Sequence, residues 1–316
     1  EINNFTTTYT EYTFDLPELP STYRIALARQ DTSNGYVYID DLSIDYVPSC
    51  IRPEPNSVVV SDVNTNTAVI SWTDNDESHS SWNVYYRVAG TEEYLSVSAT
   101  EPSVELTDLI SATSYEVYVT TNCGNEESEG TYTISFTTLQ EPVEIPYTCD
   151  FEAEGANGWL LRNSTCTNQW YVGTRTGGTS GELFISSDGG TSATYTGSAG
   201  VVVAEKLFQL GATDSIRISF DVTVNGESSF DYLKVFFVDP TVAIDPTTNY
   251  SVDYASSTYS TGTIGGARIN QQSGTVHKDI TIENPALNGL KKLVFLWRND
   301  GSIQNNPPAI IDNVSV

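Results

Sequence analysis

Apolar and polar residues alternate along the segment 51–139, in short runs separated by Asn, Asp, Gly and Ser. Successive side chains of a β-strand point to opposite faces of a sheet, so a period of two predicts half-buried strands. Seven strands are predicted, at 57–63, 68–72, 82–88, 94–98, 103–106, 115–122 and 132–137. Strands of this kind and spacing are typical of a β-sandwich.

The alternation resumes after Pro146 and continues towards the end of the chain. Further strands are predicted at 216–223, 234–238, 276–282 and 290–297. Neither region has the apolar spacing of an amphipathic helix. Abundant Ser and Thr and 19 tyrosines support the same interpretation. The sequence therefore predicts an all-β protein.

The segment 308–316 repeats the segment 36–44, since both carry Ile-Asp-(Asp/Asn)-(Leu/Val)-Ser-(Ile/Val). Such self-similarity indicates two copies of the end of one module. Strand-rich sequence precedes the second copy, whereas almost none precedes the first. We therefore expect residues 1–48 to be the C-terminal part of a truncated module, and the chain to be a piece of a longer multidomain protein.

Three short motifs carry a resemblance between residues 49–139 and the fibronectin type III domain. They are Ile70-Ser71-Trp72, the spacing from Leu109 to Tyr115, and Phe136-Thr137-Thr138. The resemblance implies that Tyr115 is a corner tyrosine, whose hydroxyl bonds back to the backbone and fixes the crossover between sheets. Tyr115 is thus predicted to be structural.

Residues 140–316 contain three further motifs: Asp150-Phe151-Glu152 at the start, Phe230-Asp231-Tyr232 in the middle and Ile311-Asp312-Asn313-Val314 at the end. With these motifs the segment resembles the cleaved-adhesin family of MAM-like jelly rolls, found in secreted proteins of the Bacteroidetes. The resemblance implies a complete jelly-roll β-sandwich over 140–316. The expected order is the tail of one jelly roll, a fibronectin type III sandwich and a second, complete jelly roll.

The four cysteines have none of the spacings of zinc or thioredoxin sites. An even count in a Thr-rich β chain predicts two disulfides and an oxidising compartment; four buried thiols in a cytosolic protein are the alternative. Pairing within modules gives Cys50–Cys123, which would stabilise by about 4 kcal/mol, and Cys149–Cys166, at about 3 kcal/mol.

Charge narrows the range of partners. Forty-one acidic residues against 14 basic ones give a net charge of −27, which repels nucleic acid and anionic lipid headgroups. No apolar run approaches the roughly 18 residues that a membrane span needs. We therefore expect neither a nucleic-acid partner nor membrane insertion. A surface this acidic also attracts divalent cations.

The repeated ending contains an acid in an unusual position. If strand alternation holds, Asp312 shares a face with Val314 and Val316, and Asp40 shares a face with Leu42. A buried carboxylate needs a cation, a salt bridge or several N–H donors. The first and last strands of a jelly roll are commonly neighbours, so Asp150 or Glu152 is expected near Asp312.

Carboxylate and carbonyl oxygens favour Ca²⁺ over Zn²⁺. The family resemblance implies a structural calcium held by Glu152 and Asp312, with Asp150 and Asp188 as further ligands. Two alternatives remain open at this stage. Asp312 pairs with Arg298 and no metal is needed, or a β-bulge at Asp312-Asn313 turns the acid outward.

No arrangement of residues predicts catalysis. The two histidines, His79 and His277, lie beside no recognisable nucleophile, so no catalytic residue is assigned. Trp159, Trp170 and Trp297 neighbour apolar strand residues and are predicted to be core.

Ligand contact is assigned to tyrosines in a loop-like segment, where no apolar periodicity requires burial: Tyr250, Tyr254 and Tyr259. By resemblance, the chain is expected to be a non-enzymatic, secreted or surface-attached bacterial adhesin-type protein, monomeric within its longer chain, that binds host protein or glycan. The alternatives are an accessory region of a larger secreted peptidase or glycoside hydrolase, and a structural spacer.

Overall fold

The computed structural model of the chain describes residues 49–153, 158–249, 251–257 and 260–316, except the side chains of 285 and 286. The predicted module at 1–48 lies outside these residues. The described part of the chain contains seventeen β-strands and no α-helix. The all-β prediction is therefore confirmed.

The first sandwich has two antiparallel sheets, ordered β1-β2-β5 and β4-β3-β6-β7. Its strands are β1 Val59–Ser61, β2 Ala68–Ser71, β3 Trp82–Val88, β4 Leu95–Ala99, β5 Ser103–Leu106, β6 Ser114–Thr121 and β7 Ile134–Thr137. Each predicted strand overlaps one of these seven. The alternation of side chains was sufficient to locate them because one face of each sheet is buried.

Alternate residues of the two sheets meet in a single core around Ile70, Val84 and Val117, all fully buried. The rings of Trp72 and Trp82 pack edge to face across it, with centroids 5.9 Å apart.

The predicted corner is also present. The Ile110 amide donates to the Tyr115 hydroxyl at 2.8 Å, while the Tyr115 ring lies in the core. The Cys50–Cys123 disulfide joins the start of this sandwich to the loop after β6, as predicted.

The second sandwich is built from ten strands. They are β8 Val143–Glu144, β9 Thr148–Cys149, β10 Leu160–Arg162, β11 Gln169–Gly173, β12 Glu182–Ser186, β13 Gly200–Thr223, β14 Tyr232–Val238, β15 Thr263–Ile269, β16 Val276–Asn299 and β17 Ile310–Ser315. The main path of the sheet runs β11-β12-β17-β13-β16-β14-β15.

Two strands of 24 residues each, β13 and β16, form the centre of this sandwich. They pair antiparallel from Gly200↔Asn299 to Val222↔Val276, with register shifts between Leu210 and Ser215. The strands predicted at 276–282 and 290–297 are therefore the two ends of one strand. The residues between them lack clear alternation because they face the irregular stretch of β13.

Alternate residues of the two ends of β13, from Val202 to Leu210 and from Ile216 to Val222, contribute to one large core. Trp159, Trp170 and Trp297 are completely buried there, as predicted. A smaller cluster covers the opposite face of β13, β14 and β16, where Val201, Phe236 and Leu296 pack together with Ile244, Val252 and Tyr254.

The predicted Cys149–Cys166 disulfide is wrong, because both residues are buried free thiols. Cys149 lies on β9, where it is opposite Val314 of β17. Cys166 lies between β10 and β11, with its Sγ 3.7 Å from the Val201 carbonyl oxygen. The two cysteines are close in sequence, but the strands carry them to different neighbours.

We expect the unfolded, non-reduced chain to contain two thiols that react with an aromatic disulfide reagent, and the reduced chain four. Replacing both Cys50 and Cys123 by Ser should lower the free energy of unfolding by about 4 kcal/mol, because the unfolded loop is no longer closed. Urea titration followed by tryptophan fluorescence measures this. The matched variant Cys166→Ala should leave the Cys50–Cys123 disulfide of the first sandwich intact. An unfolded, non-reduced chain without reactive thiols would contradict the assignment.

Candidate metal centre

The start and end of the second sandwich are neighbours, as predicted. Strand β9 pairs antiparallel with β17 through Cys149↔Val314 and Thr148↔Ser315. Asp150 and Glu152 follow β9 directly, and Asp312 lies within β17. The sequence prediction that these three acids belong to one region is consistent with this pairing.

A β-bulge changes the direction in which Asp312 points. The register moves from Ser219↔Ser315 to Asp221↔Asp312, so β17 carries an extra residue there. Asn313 adopts the left-handed conformation, with a φ of 51°. Ile311 and Val314 are both completely buried, which leaves Asp312 and Asn313 on the outer side. The core-facing position expected for Asp312 is therefore wrong, and the bulge alternative is confirmed.

Asp312 is half-buried among other acids. Burial raises the pKa of its carboxyl, and the charges of Asp221, Glu152 and Asp150 raise it further. A 2.7 Å hydrogen bond from its neighbour's backbone, the Asn313 amide, acts in the opposite direction. Like charges are thus concentrated at Asp312 by the fold itself.

Two acids at this place were missed by the sequence prediction. Asp221 of β13 is opposite Asp312. Its carboxylate accepts hydrogen bonds from His277 Nδ1 at 2.7 Å and from Asn313 Nδ2 at 2.9 Å. The hydrogen bond from His277 is the main cause of the lowered pKa of Asp221. Glu182 of β12 has its pKa raised by burial, against the opposing effect of Arg175, whose Nε is 2.7 Å from Glu182 Oε2. The alternation of apolar and polar residues along β12 and β13 marks Glu182 and Asp221 as outward-facing. Only the order of the strands in the sheet brings these two acids beside Asp312.

The backbone also contributes to this region. The Gly181 amide donates to Glu152 Oε1 at 3.0 Å, and the Glu152 amide donates to Asp150 Oδ1 at 3.2 Å. A Cβ at Gly181 would lie 2.0 Å from the Phe151 carbonyl oxygen. Glycine is required there because the loop before β12 passes directly over the Asp150–Glu152 turn.

The alternative partner of Asp312, Arg298, is engaged elsewhere. Its Nε donates to the Val252 carbonyl at 3.2 Å, and its Nη1 donates to the Phe230 carbonyl. Arg298 is opposite Tyr232 of β14, in the half of β16 that lies away from β17. The Asp312–Arg298 ion-pair alternative is therefore wrong.

Asp188 lies apart from the other predicted ligands, beyond the opposite end of β12 from Glu182. Its carboxylate accepts from Ser186 Oγ at 2.6 Å, and from the amide and hydroxyl of Ser192. These bonds, the Ser186 bond first, lower the pKa of Asp188 to about 2. These hydrogen bonds stabilise the loop that contains Asp188.

A different set of acids is the most compact in the described part of the chain. Glu227, Asp231 and Asp300 can place one carboxylate oxygen each within 4.8 Å of one another. Asp231 is 1% exposed, and burial raises its pKa although it accepts from the Tyr195 hydroxyl at 2.6 Å and the Asp300 amide at 3.0 Å. Of these three acids, the sequence motifs included only Asp231, because Asp300 lies far along the chain from Glu227 and Asp231.

The ligand-contact prediction is wrong for Tyr254. This residue is 5% exposed and packs in the same cluster as Val201, Phe236 and Leu296. Its hydroxyl donates to the Asp245 carbonyl at 3.0 Å. Residues of β13, β14 and β16 bury the ring of Tyr254, although the local sequence has no periodicity. Tyr250 and Tyr259 lie outside the described residues.

The histidines contact carboxylates. His79 Nδ1 lies 2.9 Å from Asp74 Oδ2, which also accepts from Trp82 Nε1 at 2.7 Å. His277 contacts Asp221, as described above. Both histidines therefore serve to hold loops and strand edges in place.

The first sandwich has the features of an extracellular-type β module: seven strands in two antiparallel sheets, a corner tyrosine and a disulfide. Residues 53–134 match the model of the fibronectin type III domain. This part of the chain is a fibronectin type III domain, as the sequence motifs predicted. Fibronectin type III domains typically serve as structural or binding modules.

Parts of the chain are similar to several solved structures. A domain of human collagen XX is 23% identical, with 31% of this chain and all of that one covered and a TM-score of 0.26. The FN5 domain of Drosophila Lar is 15% identical over 28% of this chain and 98% of its own, with a TM-score of 0.25. A domain of human contactin 1 is 18% identical over 31% and 88%, also with a TM-score of 0.25.

Curated proteins show no match to the chain. A search of the described residues for a helix able to cross a membrane found none.

We expect Asp312→Asn to raise the melting temperature at pH 7 in a chelating buffer, because it removes one of several repelling carboxylates. Folding raises the pKa of this carboxyl, so the folded protein favours its protonated form. The free energy of unfolding therefore falls as pH rises from the ordinary carboxyl pKa through the pKa in the folded protein. The advantage of the variant should therefore shrink as pH falls towards about 4. Calorimetry between pH 3 and 8 measures it, with the exposed Asp214→Asn as control; a destabilised Asp312→Asn at pH 7 would contradict the repulsion.

Proposed function

We propose that the chain belongs to a secreted or surface-attached adhesin-type protein and binds a host extracellular protein or glycan through its second sandwich without catalysing a reaction. The observation that carries this proposal is the fibronectin type III domain with its Cys50–Cys123 disulfide, joined to a second large β-sandwich. A disulfide of this kind persists in oxidising compartments, which fits an extracellular location. The acidic surface fits a partner that is neither nucleic acid nor bare membrane.

We also propose that the second sandwich takes a structural calcium ion at Asp150, Glu152 and Asp312, with Asp221 as an additional oxygen donor. Hard oxygen ligands of this type suit calcium. The support from geometry is the pairing of β9 with β17 and the bulge that turns Asp312 outward, opposite Asp221. The charges of Asp221, Glu152 and Asp150 act together with burial to raise the pKa of Asp312. A bound cation would offset that repulsion and tie the turn after β9 to β17.

The calcium proposal predicts a melting temperature that rises with calcium in chelator-treated protein, because only the folded state gathers the ligands. Asp312→Asn should abolish most of the rise. Asp300→Asn, in the Glu227–Asp231–Asp300 cluster, should retain it. A shift near zero at millimolar calcium would refute the site, and a shift lost in Asp300→Asn alone would move it to the second cluster.

The binding proposal is tested by probing an array of extracellular-matrix proteins and glycans with the whole chain, with and without calcium. Saturable binding to at least one protein or glycan is expected, and it should weaken when calcium is removed if the ion orders the binding loops. Uniformly blank arrays at micromolar protein would exclude adhesion by this region.

A further inference from the structure

The outer face of the sheet β4-β3-β6-β7 carries a fixed pair of tyrosines. Val84, Val117 and Val119 point into the core of the fibronectin type III domain, so their strand neighbours Tyr85 and Tyr118 point outward. Tyr85 and Tyr118 are directly opposite on β3 and β6, and their rings stack with centroids 5.1 Å apart at 15°. One face of the Tyr85 ring is thereby covered.

The other side of Tyr85 has small neighbours. Tyr85 is opposite Ser96 of β4, which is an edge strand of the sheet. Ser96 and Ser98 are both exposed and share the outer face with Tyr85. A serine is too short to cover a phenol ring, so a shelf lies over these two serines beside the second face of Tyr85. We call it the serine shelf and define it by Tyr85, Ser96 and Ser98.

Polar groups border one end of the serine shelf. Ser98 Oγ donates to Asn83 Oδ1 at 2.8 Å. Glu127 accepts from the Tyr85 hydroxyl at 2.9 Å and from Thr120 Oγ1 at 3.2 Å, and it also accepts from Asn83 Nδ2. These bonds hold the ring and the polar groups in one arrangement before any ligand arrives.

The other end is bordered by Tyr94, whose ring packs edge to face on Tyr118 with centroids 5.1 Å apart. Arg87 Cζ lies 4.3 Å from the Tyr94 ring centre, and Arg87 Nε is 2.7 Å from Glu116 Oε2. The cation at this end is therefore already neutralised by a carboxylate of its own sheet.

We propose that the serine shelf is a binding site for a neutral saccharide, distinct from any site in the second sandwich. An aromatic ring offers a flat apolar surface for the C–H face of a sugar, and hydroxyl and amide groups at its border match sugar hydroxyls. Anionic sugars are excluded because Arg87 is paired, Glu127 is a carboxylate and the chain carries a net charge of −27. A protein partner of ordinary kind needs about 800 Å² on each side, more than a shelf one tyrosine wide provides.

Affinity electrophoresis of the whole chain through gels containing soluble polysaccharides tests the site. The neutral probes are mannan, β-glucan and galactan, and the anionic probes are heparin and polygalacturonate. At least one neutral polysaccharide should retard the chain. Titration calorimetry with an oligosaccharide of that polymer should show affinity reduced about tenfold or more in Tyr85→Ala, which removes the ring.

Three further variants separate the shelf from a general loss of folding. Ser96→Phe fills the shelf but keeps Tyr85, and it should reduce affinity as much as Tyr85→Ala while the melting temperature stays close to that of the parent. Tyr132→Ala removes another tyrosine of the same domain, 47% exposed, and should keep affinity within twofold. Tyr85→Phe keeps the ring and should lose only a few-fold.

No retardation by any neutral polysaccharide would overturn the proposal, as would binding that survives both Tyr85→Ala and Ser96→Phe. Preference for the anionic probes would overturn the assigned chemistry. If an array protein, rather than a sugar, loses binding in Tyr85→Ala, the face is a protein interface instead. Array binding by the second sandwich should be unaffected by Tyr85→Ala, so the two proposals fail independently.

Discussion

The second sandwich depends on the pairing of β13 with β16. Two strands of 24 residues are joined along almost their whole length, and four other strands pair with them directly: β14 with β16, and β17, β10 and β8 with β13. Pairing between residues 54 to 99 positions apart closes a large loop, and only the apolar core on one face repays the entropy of closing it. Both the large core and the acid-rich surface around Asp312 are consequences of this pair of strands, the β13–β16 ribbon.

At the acid-rich surface, the strand register determines which carboxylates lie together. Asp312 and Asp221 are opposite each other because the bulge in β17 shifts the pairing by one residue. Without that shift, strand alternation would place Asp312 on the side of Val314, which is fully buried. The bulge thus converts an acid that would be costly in the core into part of an outward, electrostatically strained group.

Sequence reasoning succeeded wherever the signal was local. A period of two located the strands of the first sandwich, and the spacing from Leu109 to Tyr115 identified the corner. It also placed Asp150 and Glu152 near Asp312, from the common adjacency of first and last strands. It failed where distant elements decide the outcome. Glu182 and Asp221 join the group through strand order, and Tyr254 is buried by a sheet face that its own neighbours in sequence do not reveal.

The two buried thiols have a consequence for how this chain matures. Four cysteines allow three complete pairings, and the structure contains one bridge, Cys50–Cys123, and two thiols enclosed by the second sandwich. Enclosure protects Cys149 and Cys166 only after the β13–β16 ribbon has formed. In an oxidising compartment the slow assembly of that ribbon competes with thiol oxidation, so the yield of correctly bridged protein depends on which is faster.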